Sequence, residues 1–87
     1  MIKTIDFGID CAPGSPRPDT FAGSVFEYLG VEYHEPYNKF FGAWEWNVDV
    51  NMTDKEWDTF DKWMKEKMDN LYENGRIRGA RWQKVTG

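Results

Sequence analysis

The feature that most constrains this fold is the one-sided stretch from Thr53 to Gly75. Thr53 and Glu56 have capping-box spacing, and Met52 and Trp57 stand at the two positions of a hydrophobic staple. Trp57, Phe60, Met64, Met68 and Leu71 then recur at +3, +4, +4 and +3, which places them on one apolar stripe of a helix. Away from that stripe, Asp58–Lys62, Asp61–Lys65, Lys62–Glu66 and Lys65–Asp69 are i,i+4 pairs of opposite sign, worth about 0.3 kcal/mol each. Asn74-Gly75 stops the helix. Such a helix is stable only against a second apolar surface, so the rest of the chain must supply one.

Alternating segments supply it. In Lys3–Ile9 the apolar Ile5, Phe7 and Ile9 alternate with Thr4, Asp6 and Gly8, the period of a half-buried strand. Phe40–Val50 reads as another strand, with Trp44, Trp46, Val48 and Val50 on one face, Glu45, Asn47 and Asp49 on the other, and Gly42 marking a bulge. Asp10 through Pro18 holds three prolines and a glycine and must be a loop. Asp19 is placed to cap a short helix over residues 20–29, where Phe21, Val25 and Leu29 recur at i+4 before Gly30. Val31 to His34 alternates as a short strand, and Glu35-Pro36-Tyr37-Asn38 suits a type I turn leading into the next strand. Arg76–Val85 reads as the last strand, interrupted or bulged at Gly79.

The resulting order, β-α-β-β-α-β, resembles that of a ferredoxin-like sandwich. The resemblance implies an α+β fold in which two helices cover one face of a four-stranded antiparallel sheet. At 87 residues the chain is expected to be one domain, residues 1–87. The open face of its sheet would carry Asp6, Glu45, Asn47 and Asp49.

Composition narrows the chemistry. One cysteine and one histidine rule out an internal disulfide and the four N/S ligands of a structural zinc site. No apolar run reaches signal-peptide or membrane-span length, so a cytoplasmic location without membrane contact is expected. All 15 acids and seven of the 11 bases lie in residues 1–73, net −8, whereas residues 74–87 hold the other four bases, net +4.

Cys11-Ala12-Pro13-Gly14-Ser15-Pro16-Arg17 fits C-x2-G-x2-R between a strand and a helix, and resembles the phosphate loop of cysteine-dependent phosphatases. That resemblance implies a thiolate nucleophile at Cys11 and phosphoryl oxygens held by backbone amides and Arg17. The chain departs from the pattern at Pro13 and Pro16, which donate no amide hydrogen bonds, and at Asp10 and Pro18 on either side of it. Asp6, Glu45 and Asp49 on adjacent strands could hold Mg²⁺, but Arg78 and Lys84 on the last strand are equally placed to neutralise them. Lys39-Phe40-Phe41-Gly42-Ala43-Trp44 resembles the central signature of RNA-recognition motifs, yet an acidic open face repels phosphate and argues against nucleic acid.

The aromatic surplus remains. Fifteen Phe, Trp and Tyr residues form 17% of the chain. Trp63 and Tyr72 flank the helical stripe, Phe41 points with the polar face of its strand, and Trp82 shares a side with Arg76 and Arg78 if the last strand is regular. Exposed Trp, Tyr and Arg are the residue types that anchor interfaces. The sequence therefore leads to a non-enzymatic, cofactor-free and metal-free binding protein that occupies a partner protein, as an inhibitor or adaptor. Trp63, Tyr72, Trp82 and Phe41 would be its contacts. In size and acidity it is similar to the small accessory proteins phages use against host machinery. The alternative is a sequestering protein for a nucleotide or other small anion, held by Arg76, Arg78 and Arg81.

Overall fold

A computed structural model describes residues 1–86 as an α+β domain. Its elements run β1 (Ile2–Cys11), α1 (Pro18–Leu29), β2 (Asn38–Phe40), β3 (Ala43–Asn51), α2 (Asp54–Glu73) and β4 (Ile77–Thr86). The strands form one antiparallel sheet ordered β2-β3-β1-β4. β1 and β3 are central and pair without interruption from Ile2↔Asn51 to Asp10↔Ala43.

The alternation read from the sequence decides which face is buried. Ile5, Phe7, Ile9 and Cys11 of β1 join Trp44, Trp46 and Val48 of β3 in one core cluster. Phe21, Ala22, Val25 and Phe26 of α1 and Phe60, Met64 and Met68 of α2 close that cluster. Phe7 stacks on Trp46 at 5.2 Å and meets Phe26 edge-on at 5.9 Å, so the ring network ties both central strands to α1. Lys3 occupies an apolar phase of β1 and is 1% exposed. Its ammonium bonds Asp54 Oδ1 at 2.8 Å in the first turn of α2, where a carboxylate is already favoured by the helix dipole.

Thr53 caps α2 as its spacing predicts: the Glu56 amide donates to Thr53 Oγ1 at 3.1 Å, and the Thr53 amide donates to Glu56 Oε1 at 2.9 Å. The α1 cap differs from expectation. Arg17 is the N-cap residue and Pro18 the first helical residue, so Asp19 lies inside the first turn and pairs with Arg17 instead of capping.

Two strand readings are corrected, and the bulge expected at Gly79 is placed at its neighbour. Residues 31–36 form no strand, and β2 is the three-residue segment Asn38–Phe40. The Val31 amide is drawn to the Phe26 carbonyl and the His34 carbonyl to the Trp46 indole N–H, while the Tyr33 and His34 rings meet Phe26 edge-on at 5.2 and 5.1 Å. These contacts hold the segment beside α1 and outweigh its period-2 pattern. Gly42 marks a turn rather than a bulge, because β2 and β3 meet there in a hairpin. In β4 the pairing slips between Asp10↔Gly79 and Cys11↔Ile77, so the extra residue is Arg78. The slip returns Trp82, opposite Phe7, to the helix-covered side, away from Arg78.

Candidate functional site

Three connections converge at one end of the sheet: the proline loop after β1, the β2–β3 hairpin tip and the turn from α2 into β4. The Cys11 amide donates to the Gly42 carbonyl at 3.0 Å, and the Ala12 amide donates to the Arg76 carbonyl at 3.1 Å. Gly42 suits this closeness, since a Cβ there would lie a tight 3.1 Å from the Cys11 carbonyl oxygen.

With Gly42 committed to that contact, the turn places its positive φ on the preceding residue. Phe41 has φ 53°, in a position where two-residue hairpins favour glycine or asparagine. A left-handed conformation costs an ordinary residue about 1 kcal/mol. The ring gains no burial in return: Phe41 is 88% exposed and its neighbour Phe40 64%. The two rings meet edge-on at 4.7 Å, and the Trp44 indole N–H donates to the Phe41 carbonyl at 2.9 Å, which fixes the tip. Arg17 and Lys39 lie over the Trp44 ring at 5.6 and 4.6 Å. A cleft of about 350 Å³ separates the tip from the proline loop, with Arg17, Phe41, Trp44 and Arg78 on its walls. Arg76 is exposed beside it, and Tyr72, 62% exposed, lies at the same end on the last turn of α2.

The other predicted contacts lie elsewhere. Trp63 is half-buried, stacked on Tyr28 at 4.3 Å and covered by Lys67 at 5.6 Å, so it joins α1 to α2. Trp82 is also half-buried, and its indole N–H donates to Asp61 Oδ1 at 2.7 Å. Of the four aromatic residues, Phe41 and Tyr72 stand free at one end of the molecule, whereas Trp63 and Trp82 seal the margins of the core. Phe40 escaped the sequence reading, which placed it within a continuous strand. The adjacent ring pair before Gly42 was the available signal.

The three arginines do not converge on an anion site. Arg78 pairs with Asp10 at 3.0 Å, Arg81 with Asp6 at 2.9 Å and with Glu45 at 3.1 Å, and Arg76 is at the turn. On the open face Tyr37 completes the Arg81 cluster, its hydroxyl donating to Glu45 Oε2 at 2.8 Å and lying 3.1 Å from Asp6 Oδ1. The hydrogen bond from Tyr37, followed by those from Arg81, holds the Glu45 carboxyl below the usual range. The bond to Asp6 likewise raises the Arg81 guanidinium further. Gly8 lets this bridge cross β1, since a Cβ would meet the Glu45 Cγ at 3.3 Å and the Arg81 Nε at 3.6 Å. Arg81 thus joins the two carboxylates that could have shared a cation, and Asp49 accepts from the Thr4 hydroxyl at 2.7 Å. Among the described residues, no group of three or more His, Cys, Asp or Glu side chains is arranged to hold a metal. Lys84, expected as a partner for these acids, instead lies over the Trp57 ring at 5.9 Å.

Cys11 is buried at the end of β1. Burial, then the nearby Asp10 and Asp19 carboxylates, pushes its thiol up to about 11, leaving roughly one thiolate in 10⁴ at neutral pH. Arg17 is paired with Asp19. The geometry holds neither an activated thiolate nor an unpaired guanidinium in the proline loop.

Comparison with known proteins finds no matching family model and no significantly similar curated protein or solved structure. No helix among the described residues is long and apolar enough to cross a membrane.

Proposed function

We propose that this chain is a non-catalytic binding protein that occupies a partner protein, with the Phe40–Phe41 hairpin tip as its anchor. One observation carries the reading: a bulky ring is held in water on a backbone conformation that disfavours it. Backbone strain without a packing return is the pattern of residues kept for contact. Large rings supply binding area at low entropic cost, and the nearby Arg17, Lys39, Arg76 and Arg78 give them a polar rim. Tyr72 extends the same end. We also read the architecture as ferredoxin-like, supported by the strand order and by the single core shared by the two helices.

The test separates contact from fold. Phe41→Gly relieves the left-handed backbone and is expected to stabilise the domain by about 0.5–1 kcal/mol, read as a higher urea midpoint. The same change is expected to weaken partner capture from extracts of the native host at least tenfold. Undiminished capture by Phe41→Gly and by Phe40→Ala would remove the hairpin tip from the interface. A lower urea midpoint would mean that the ring earns its position through folding.

A further inference from the structure

The second half of β3 lacks a neighbour on its outer side. β2 pairs with β3 only from Asn38↔Glu45 to Phe40↔Ala43, and no described strand continues along residues 46–51. Bonding at the ends of β3 shows which main-chain groups this leaves open. The Gly42 carbonyl accepts from Cys11 and the Met52 amide donates to Met1, so the even-numbered residues face β1. The Glu45 carbonyl accepts from Tyr37 on the other side, so the odd-numbered residues face outward. The amides and carbonyls of Asn47 and Asp49 therefore project from the sheet, in the place that a longer β2 would fill. Residues 31–36 leave that place because the Trp46 indole and the Phe26 ring hold them against α1.

The two sides of this edge differ in chemistry. On the helix side, a groove of about 410 Å³ between the end of α1 and the start of α2 is lined by Tyr28, Leu29, Val50 and Met52, with Lys55 and Glu56 at its rim. On the open side, Asn47, Asp49 and Asn51 are exposed, and Asp49 is the charge among them. We propose that this edge accepts an extended segment of a partner protein, added antiparallel to β3 in line with β2. Apolar residues of the segment would enter the groove, and alternate basic residues would lie over Asp49. Main-chain bonds supply the affinity of such strand addition, and alternating side chains supply its selectivity. A second copy of this chain fits less well, because a two-fold β3 pair would bring the two Asp49 carboxylates together. The proposal is independent of the hairpin tip.

Antiparallel addition fixes which peptide amides must be free. Residues directly opposite Asn47 and Asp49 share their face, so the basic positions of the added strand would exchange main-chain bonds with β3 and the apolar positions would turn their amides to solvent. The probe is an acetylated, amidated octapeptide alternating lysine with valine, titrated into the full chain and followed by amide NMR. Without peptide, the Asn47 and Asp49 amides are expected to exchange at least tenfold faster than the Val48 amide, which faces β1. With peptide they should become protected, with shift changes confined to residues 28–29 and 46–52. N-methylation at the lysine positions should lower affinity at least tenfold, whereas methylation at the valines should leave it within about twofold. Asp49→Lys should weaken this peptide about tenfold and favour one alternating glutamate with valine. Equal binding by the two methylated peptides, Asn47 and Asp49 amides already protected in the free monomer, or association of the chain with itself through this edge would each overturn the proposal.

Discussion

The two margins of the sheet solve the same problem differently. β4 runs ten residues along β1, and its pairing is interrupted twice, at Arg78 and at Val85. Bulges and cations of this kind discourage a second strand from pairing, and β4 carries Arg78, Arg81 and Lys84. Its inner side is anchored by Trp82 bonding to Asp61 and by Lys84 lying over Trp57, both on α2. At the opposite margin, β2 shields three residues of β3 and the chain then turns in beside α1. The exposed part of β3 has no register slip, no proline and no basic side chain. One margin is protected by sequence and the other is left available, a difference expected when only one edge is kept for contact.

The sharpest way to break this contrast is to remove what keeps residues 31–36 off the sheet. Trp46 is fully buried, stacks on Phe7 and donates to the His34 carbonyl at 3.0 Å. Trp46→Ala is expected to cost about 3–5 kcal/mol in urea unfolding. If enough folded protein remains, amide exchange in residues 31–36 should accelerate more than in β4. Equal acceleration in both would mean that the segment is held by the core as a whole rather than by this indole.

How far the sequence foretold these margins depends on how local the deciding contacts are. β1, the second half of β3 and α2 were legible because their alternation, apolar stripe and capping box agree with where each element packs. β2 was misplaced because the Val31–His34 alternation is overridden by Phe26 and Trp46, the second of them twelve residues beyond His34. The hairpin tip was hidden because its positive φ falls on Phe41 while Gly42 is used for close approach to Cys11, reversing the usual turn signature. Trp82 would share a side with Arg76 and Arg78 only in a regular strand, and a one-residue slip turns it inward: glycine at 79 signals an irregularity, but not that Arg78 is the residue added. The Arg81 cluster was partly legible. Its carboxylates were identified as an acidic group on adjacent strands, but pairing them with Arg81 requires knowing that Gly8 lies beneath both Glu45 and Arg81. The burial of Lys3 was not legible, because its residue type masks the phase that it shares with Ile5 and Phe7.

A smaller effect is expected across the open face, where Arg81 ties β4 to Asp6 of β1 and Glu45 of β3. Arg81→Ala leaves Asp6 and Glu45 facing each other and should cost about 1–2 kcal/mol at neutral pH and low salt, less at high salt, since the guanidinium is partly exposed. Its sign with pH is fixed by the depressed Glu45 carboxyl. The stability that this group contributes is fully present above its ordinary value of 4.5 and is lost as pH falls through the lower folded value. The wild-type chain should therefore lose stability below about pH 4.5. Arg81→Ala should lose less of it there, because the Tyr37 and Asn38 bonds to Glu45 remain but the bonds and charge of Arg81, which help hold it ionised, are gone. An unchanged acid profile would show that Arg81 and Glu45 are not coupled in solution.

The smallest effect tests whether the guarded margin depends on its link to α2. Asp61 accepts from the Trp82 indole at 2.7 Å, and Asp61→Ala leaves that N–H to water at a half-buried position. The full penalty for a buried unpaired donor therefore does not apply, and a loss of about 0.5–1 kcal/mol is expected. The ring itself should stay in place, because it is packed against the core cluster and the β1–β4 ladder persists through the Phe7↔Trp82 pair. Amide exchange in β4 should consequently change little. A large acceleration there would make the Asp61 bond the fastening of this edge. The guarded margin would then depend on one side-chain contact, as the open margin depends on the Trp46 indole, and the contrast between the two would rest on bulges and charge alone.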